Sequence, residues 1–524
     1  MNRIFYTLVF LTVSSVFIKN TLHMFQQNRY ELLRYTKWLF SFKGKFEVKL
    51  VVIYFCLMIA SLFIPNYYSH IVCIIISIIF GIIFINVEDN KIYIKPLVYT
   101  PRVKRTLILF VIVVGVVEFL LVDPLKDHLG ILGILSVIFP YILIYPVALV
   151  LKPFELLIKQ KYINEAKNIL KANPDLIKVG ITGSYGKTTT KNIVSRILDS
   201  KYYTLMTPAS FNTPMGITRT IREDLKRVHE IFVCEMGADH VGDITYLMKM
   251  VKPKYGIVSS IGPQHLNTFG KLDNIINEKM QEIELLPEDG VGIINVDNEY
   301  IAKYPIKNVC KIVSVGYNNQ NADYVAKKVK ISIDGTSFTC KTNGKDYSFK
   351  TKLLGEHNIT NILLGIALAT ELGIEPKKIK EAVEILEQVE HRLEAKVING
   401  YNFIDDAFNS NPSGCMFALK TLSLMPGKRV IVTPGLIDLG EIENRTNYDF
   451  GKNMLGKVDF VILVGKNQTR FIHKGLKDSG YDMNKVLVVD KVVDAFNYVY
   501  NNFTPSDTIL LENDLPDAFN NWYN

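Results

Sequence analysis

Residues 177–190 constrain the fold more than any other part of this chain. An apolar run leads into the glycine-rich turn at residues 183–186, and a helical stretch begins near Lys187. Glycines let successive backbone N–H groups turn inward around phosphate oxygens, and the positive N-terminal end of a helix adds to the attraction. The segment therefore predicts a phosphate-binding loop between a strand and a helix.

The loop also indicates which phosphate compound it binds. A lysine at position 187 reaches the outer phosphates of a nucleoside triphosphate, and the hydroxyl of Thr188 can hold Mg²⁺. The standard spacing places a glycine at position 181, but this chain has Ile181 there. This change in glycine spacing predicts a particular subclass of phosphate-loop protein. The residues expected to bind ATP are Gly183, Ser184, Gly186, Lys187, Thr188 and Thr189.

Five apolar runs precede the loop and predict transmembrane helices. Several are shorter than the ~20 residues that cross a bilayer, so flanking Tyr, Phe and Lys side chains would complete them at the interface. We assign residues 1–155 to a transmembrane helical domain and expect Glu118 to extend to the membrane surface. The runs are 4–18, 50–64, 71–85, 107–122 and 131–151.

Charge between the runs predicts their orientation. Residues 19–49 carry seven Lys and Arg residues and residues 87–106 carry five, whereas the other connecting segments carry almost none. Basic loops remain in the cytoplasm. We predict a multi-pass protein of the cytoplasmic membrane whose N-terminus is outside and whose catalytic domains, after Leu151, are in the cytoplasm.

The basic character of the chain belongs to its membrane end. Residues 1–160 carry +8 of the net charge of +9, and such loops contact anionic membrane lipid. No basic stripe or aromatic ladder follows, so no nucleic-acid partner is expected. Six cysteines without a Cys-x-x-Cys pair argue against a disulfide framework and a structural zinc site.

The rest of the chain has an α/β pattern, because short apolar runs alternate with helical stretches. We predict a phosphate-loop central domain at residues 156–395, with a small antiparallel insertion at 322–352, and a C-terminal Rossmann-like domain at 396–524. The predicted strands are 177–181, 231–235, 256–260, 292–295, 402–405, 429–433, 460–464, 486–489 and 508–511.

Three residues after the loop bear on metal chemistry. Glu235 ends an apolar strand, where phosphate-loop enzymes place a carboxylate that holds Mg²⁺. His265 follows another apolar strand, although a structural role is favoured when it is considered alone. Lys279, considered alone, looks like an ordinary lysine on a helix surface.

Taken in order, these segments resemble the motifs of the Mur ligase family, closest to its MurF type, over roughly residues 177–515. That type adds D-alanyl-D-alanine to a UDP-linked muramyl tripeptide. The resemblance implies ADP-forming amide synthesis, in which a substrate carboxylate attacks the γ-phosphate of ATP and an amine displaces phosphate from the acyl phosphate. The motifs are 183–190, 235–240, His265, Lys279, 286–290, 355–361, 391–394 and 405–412.

The resemblance also implies two Mg²⁺ sites. Lys187 would hold the β- and γ-phosphates, Thr188 and Glu235 the first Mg²⁺, and His265 and Lys279 the second. Lys279 would act as a carbamate formed with CO₂, which turns a cation into an oxygen ligand suited to Mg²⁺. Two metal ions offset the repulsion between an anionic nucleophile and the triphosphate.

The resemblance implies further roles for residues of both α/β domains. The two domains are expected to close over the reactants and exclude water from the acyl phosphate. They are Asn358 and Asn361 at the adenine side of the nucleotide, Arg392 at phosphate, Asp405 and Asp406 at ribose or in domain closure, and Asn212 near the metal and substrate.

Two departures from the family pattern bear on the substrates. Apolar runs replace the soluble UDP-binding domain, which suggests a lipid-linked precursor or nascent wall polymer as the acceptor. Near the C-terminus, Glu512, Asn513 and Asp514 stand where the MurF type has a basic stretch. The incoming amine therefore stays open between an amino acid, a cationic compound and ammonia.

The leading hypothesis is a membrane-tethered ligase that acts on a cell-wall precursor. One alternative with the same chemistry is a synthetase that extends a poly(amino acid) at the membrane. Another is a non-catalytic ATP-binding scaffold that recruits other wall-synthesis enzymes, although His265 and Lys279 count against it because a binder needs no second metal pair. A transport ATPase is disfavoured, since the chain has no second nucleotide motif and few polar residues in its apolar runs.

Overall fold

The computed structural model describes residues 3–40, 48–90, 96–332, 335–342, 345–353, 355–388, 393–407, 412–437 and 439–513. The chain forms two compact units, of which the first ends at Gln160 and the second begins at Lys161. Arg392, which the resemblance assigns to phosphate, lies outside the described residues.

The first unit is helical, and each predicted apolar run lies largely or wholly within one of its helices. Four of these helices are long and apolar enough to cross a membrane, whereas the third has only 14 residues. The count of five spans therefore stays a prediction. The short α2 was not predicted. The helices are α1 (Arg3–Gln27), α2 (Leu32–Phe40), α3 (Val48–Ser61), α4 (Asn66–Asp89), α5 (Pro101–Val122) and α6 (Leu129–Lys171).

Glu118 of α5 lies inside the helical unit and is 0% exposed. Its Oε1 lies 2.5 Å from the hydroxyl of Ser14 on α1, and that hydroxyl lies 2.8 Å from the carbonyl of Ser136 on α6. The expectation that Glu118 extends to the membrane surface was wrong. Polar partners on neighbouring helices make an interior position possible for this side chain.

The second unit contains a nine-stranded sheet in the order β2-β3-β1-β4-β5-β6-β7-β8-β9. The strands are parallel from β2 to β7, and β8 and β9 are antiparallel additions, which confirms the predicted insertion. The bounds are β1 (Ile177–Thr182), β2 (Thr204–Met206), β3 (Ile231–Glu235), β4 (Tyr255–Val258), β5 (Val291–Asn295), β6 (Lys311–Gly316), β7 (Tyr324–Ser332), β8 (Gly335–Thr342) and β9 (Lys345–Thr351).

Helices cover both faces of this sheet because its strands are apolar on both sides. Ile231 and Val233 face one core, whereas Phe232 and Cys234 face the other, as the alternation of a strand requires. The end of α6 adds Ile163 to the second core. The helices are α7 (Lys187–Leu198), α8 (Pro214–Glu223), α9 (Asp243–Val251), α10 (Leu266–Phe269), α11 (Leu272–Glu284), α12 (Glu299–Ala302), α13 (Glu356–Glu371) and α14 (Pro376–Glu384).

A six-stranded sheet follows in the order β10-β11-β15-β12-β13-β14, parallel except for β10. The domain boundary predicted at residue 396 falls inside β10, so this sheet begins slightly earlier, at Glu394. The strands are β10 (Glu394–Ile398), β11 (Tyr401–Asp406), β12 (Arg429–Thr433), β13 (Phe460–Val464), β14 (Val486–Val489) and β15 (Thr508–Glu512). The helices are α15 (Pro412–Leu422), α16 (Glu443–Asn453), α17 (Arg470–Asp478) and α18 (Val492–Asn502).

Candidate active site

The glycine-rich turn connects central strand β1 to α7. Gly183 and Gly186 have φ values of 151° and 79°, which side chains rarely allow. Lys187 begins α7, and its Nζ donates to the carbonyls of Gly183 at 2.7 Å and Ser184 at 3.0 Å. Thr188 follows in the first turn of α7 and is half-buried. The predicted strand–loop–helix arrangement is therefore present.

Hydrogen bonds join this loop to the segment that follows β4. The backbone N–H of Ser184 donates to the carbonyl of Ser260 at 2.6 Å, and its hydroxyl donates to the carbonyl of Gly262 at 2.9 Å. The Tyr185 hydroxyl donates to the carbonyl of Pro263 at 2.7 Å. A side chain at Gly262 would meet the Tyr185 ring. These contacts therefore hold the two segments together.

His265 comes two residues after this joined segment. Its backbone has a φ of 53°, in the left-handed region that is uncommon for residues other than glycine. The side chain of His265 is half-buried. Its backbone carbonyl accepts hydrogen bonds from the backbone N–H groups of Thr268 and Phe269 in the short α10. Strain of this kind persists only where the surroundings impose it, and it is frequent at functional sites.

Glu235 lies at the end of β3, beside Ile181 of β1, and is 1% exposed. The side-chain amide of Asn212 donates to its Oε1 at 3.0 Å. Its Oε2 lies 3.4 Å from the Nζ of Lys191, which is also 1% exposed. Asn212 thus lies beside Glu235, and its expected place near metal and substrate stays a prediction. Lys191 was not singled out from the sequence.

Lys279 lies on α11 and is only 2% exposed, so its appearance as a surface lysine was misleading. Its Nζ lies 3.2 Å from the carbonyl of Ala238, just after β3. Burial, followed by the nearby charge of Lys187, lowers the pKa of Lys279 to about 7. The amine is therefore largely neutral in mildly alkaline solution and lies close to the phosphate-binding loop.

A second buried ionisable group lies one helical turn after Lys279. Glu282 is 0% exposed, and neither carboxyl oxygen has a hydrogen-bond partner among the described residues. Burial raises its pKa to about 8. Gly180 of β1 leaves room for this carboxyl group, because a Cβ at that position would overlap Glu282 Oε1. No sequence motif indicated this arrangement.

Asn358 and Asn361 lie in the first turns of α13, which packs on α7. Asn361 Oδ1 accepts from the hydroxyl of Thr190 at 3.1 Å, and its Nδ2 donates to Asn358 Oδ1 at 3.4 Å. Thr189 precedes Thr190 on α7 and is half-buried. These contacts place both asparagines beside the helix that follows the phosphate loop.

Asp405 and Asp406 end β11 in the second sheet and have partners there. Lys396 donates to Asp405 Oδ2 at 3.0 Å, and the backbone N–H of Leu393 donates to Asp406 Oδ1 at 3.1 Å. Their predicted role at ribose or in domain closure stays a prediction. Glu512 lies next to Asp406 in the register of β11 and β15 and is fully buried.

Family models, related sequences and solved structures all support the same family for this chain. The family model for the Mur ligase middle domain matches residues 181–369, and the model for the Mur ligase glutamate ligase domain matches residues 391–512. The six-stranded sheet lies wholly within the second match. The helical first unit precedes both.

Relatives include UDP-N-acetylmuramoyl-tripeptide--D-alanyl-D-alanine ligases. The ligase from Bacillus subtilis is 29% identical, over 64% of this chain and 72% of its own, and that from Escherichia coli is 30% identical, over 55% and 64%. The ligase from Borreliella burgdorferi is 31% identical, over 64% of this chain and 71% of its own.

Solved structures have the same fold. A crystal structure of MurF from Acinetobacter baumannii superposes with a TM-score of 0.60 at 25% identity, covering 68% of this chain and 77% of that chain. MurF from Thermotoga maritima in complex with ADP has a TM-score of 0.61 at 23% identity, covering 68% and 80%, and shows the fold alone. With its phosphate loop, its two α/β domains and these relatives, the chain belongs to the Mur ligase family of ATP-dependent, ADP-forming amide ligases.

Proposed function

We propose that this protein is a membrane-tethered ligase that joins an amine to a carboxyl group of a cell-wall precursor through an acyl phosphate. The observation that carries the proposal is Lys279, a buried amine near Lys187 whose pKa is lowered to about 7. A lysine with a purely structural surface role needs neither burial nor a lowered pKa. Perturbed groups of this kind cluster at catalytic sites.

A neutral amine is what carbamate formation requires. The nitrogen lone pair of Lys279 attacks the carbon of CO₂, an N–C bond forms as one C=O π bond opens and its electron pair moves to oxygen, and one proton leaves the nitrogen for solvent. A protonated amine has no lone pair for this step. The product carries two oxygens and a negative charge in place of the neutral amine, so burial prepares this residue to become a ligand for a hard cation.

The remaining residues fit ATP and Mg²⁺. Glu235 offers a buried carboxylate, and Thr188 offers a hydroxyl in the first turn of α7. His265 and the carbamate of Lys279 would hold a second ion. When bound, Mg²⁺ supplies positive charge that offsets the repulsion between the acceptor carboxylate and the triphosphate. Lys187 holds the transferred phosphoryl group, and Asn212 orients Glu235.

We further propose a lipid-linked or membrane-proximal acceptor at the cytoplasmic membrane, with the ligase domains in the cytoplasm. Two observations support this. Apolar helices, four of them long enough to cross a bilayer, precede the ligase domains, and the matched family regions begin only at residue 181. A membrane anchor would keep the active site close to precursors carried by membrane lipid.

The test uses the full-length protein purified in lipid nanodiscs. ADP release is measured with ATP and Mg²⁺ while the acceptor and a panel of amino acids, cationic amines and ammonia are supplied separately and together. The proposal expects ADP release only when a carboxylate acceptor and an amine are both present. Release of ADP without either one would contradict coupled ligation, and no release with any pair while ATP still binds would favour the scaffold.

The acceptor is identified by comparing two precursors with the same peptide, one linked to UDP and one linked to polyprenyl diphosphate. We expect a higher kcat/KM for the lipid-linked form. Lys187→Ala serves as the inactive control in both arms. Mass spectrometry of lipid-linked precursors from cells with and without the protein provides the matching cellular measurement, and unchanged precursor masses would contradict the lipid-linked acceptor.

A further inference from the structure

Lys191 lies one helical turn after Lys187 on α7, but it points into the protein and is 1% exposed. Its Nζ lies 3.4 Å from Glu235 Oε2 and donates to the carbonyl of Ala209. Lys191 and Glu235 therefore form a buried ion pair. A buried carboxylate without a counter-charge is strongly unfavourable.

The carbonyl bonded by Lys191 belongs to the loop that carries Asn212. Ala209 has a φ of 43°, so the loop adopts a strained backbone there. The loop itself contacts Glu235 at two points: Asn212 Nδ2 donates to Oε1 at 3.0 Å, and the Thr207 hydroxyl accepts from the Glu235 backbone N–H at 3.1 Å. Lys191, Glu235 and this loop therefore form one connected group.

We propose that Lys191 is a positioning residue. Its ammonium group is the counter-charge of Glu235 within the protein, and its bond to Ala209 holds the Asn212 loop beside Glu235. The inference rests on the proposed function only in treating Glu235 as a Mg²⁺ ligand. Before Mg²⁺ binds, the ion pair with Lys191 holds the carboxylate in place. Because the ammonium group and Mg²⁺ are attracted to the same carboxylate, Lys191 also lowers the affinity of the site for the metal ion.

This role makes a prediction that ordinary core packing does not. Lys191→Met removes the competing charge, so the Mg²⁺ concentration for half-maximal binding of a fluorescent ADP analogue should fall several-fold. At the same time kcat should fall at least tenfold, because the Asn212 loop loses an anchor. A residue that only fills space would leave the Mg²⁺ requirement unchanged or raise it.

Thermal unfolding of the metal-free protein tests the counter-charge without reference to catalysis. Lys191→Met should lower the unfolding midpoint, and the double variant Lys191→Met with Glu235→Gln should recover most of the loss. Lys254→Met is the matched control, because Lys254 forms an exposed ion pair with Asp289 at 2.6 Å. It should change neither the midpoint nor the Mg²⁺ requirement.

The outcomes separate the two proposals. A Lys191→Met midpoint equal to that of wild type, or a double variant no more stable than the single one, would overturn the counter-charge role. If the single variant does not fold, recovery of a folded double variant supports the role, and failure of both overturns it. Recovery in the double variant together with no Mg²⁺-dependent nucleotide binding in wild type would overturn the proposed function alone.

Discussion

The hydroxyl of Tyr185 donates a 2.7 Å hydrogen bond to the carbonyl of Pro263, and this bond links the phosphate-binding loop to the segment that carries His265. Tyr185 is buried, so the carbonyl would have little access to water if the hydroxyl were removed. A catalytic consequence is expected because the two segments provide candidate ligands for the nucleotide and for the second metal ion.

Tyr185→Phe should lower kcat/KM for ATP three- to tenfold and stability by about 1 kcal/mol, the usual contribution of one hydrogen bond. Steady-state ADP release and thermal unfolding are the measurements. Tyr203→Phe is the control, since Tyr203 is 71% exposed. Equal effects of the two substitutions would show that the bond to Pro263 has no special role.

Lys279→Ala should reduce turnover by at least a hundredfold, because it removes the amine that we propose to be carbamylated. Formate or acetate at high concentration should restore part of the activity by supplying the missing oxygens. Lys271→Ala, a change at an exposed residue immediately before the same helix, should leave turnover unchanged. Full activity of Lys279→Ala without added carboxylate would contradict the carbamate role.

Glu282 should make stability depend on pH. Its pKa rises from 4.5 to about 8 on folding, so the folded protein keeps a proton that the unfolded chain releases. Stability should therefore fall as pH rises from about 5 to 7, by up to about 1.4 kcal/mol per pH unit. Lys279 does not contribute much over this range, because it is largely protonated in both states below its folded pKa of about 7.

The measurement is the difference in unfolding midpoint between wild type and Glu282→Gln from pH 5 to 7. The unfolding midpoint of Glu282→Gln should rise steadily relative to that of wild type as pH increases. Glu384→Gln, at an exposed position on α14, should show no such trend. A flat difference for Glu282→Gln would mean that the carboxyl group ionises normally in the folded protein.

Gly180→Ala tests the space beside the same carboxyl group. The added methyl group would overlap Glu282 Oε1, so we expect a loss of about 1–3 kcal/mol, as for other overpacked cores. The double variant Gly180→Ala with Glu282→Ala should be more stable than the single Gly180→Ala variant, because the shorter side chain removes the overlap. Thermal unfolding of both variants provides the comparison.

The sequence was informative where local chemistry decides the structure. Strands 231–235, 429–433, 460–464 and 486–489 have the predicted bounds, because short apolar runs between polar turns leave few alternatives. The phosphate loop was equally clear, since its glycines are required by the backbone conformation that they adopt at Gly183 and Gly186. Motif order then predicted the side chains of the candidate site.

Burial was harder to predict, because it depends on residues that are distant in sequence. Lys279 and Lys191 look like solvated helix lysines until α7 and α11 are packed against the sheet. Glu282 is accommodated through Gly180, about a hundred positions earlier in the chain. Glu118 was placed wrongly for the same reason, since Ser14 lies on a different helix.

Every described side chain of the candidate site, from Gly183 to Lys279 and on to Asn361, belongs to the unit that begins at Lys161. The side chains that would perform the chemistry are thus separate in the sequence from the residues that would bring the acceptor to the site. The N-terminal helical unit can therefore be altered or exchanged without changing any described side chain of the candidate site.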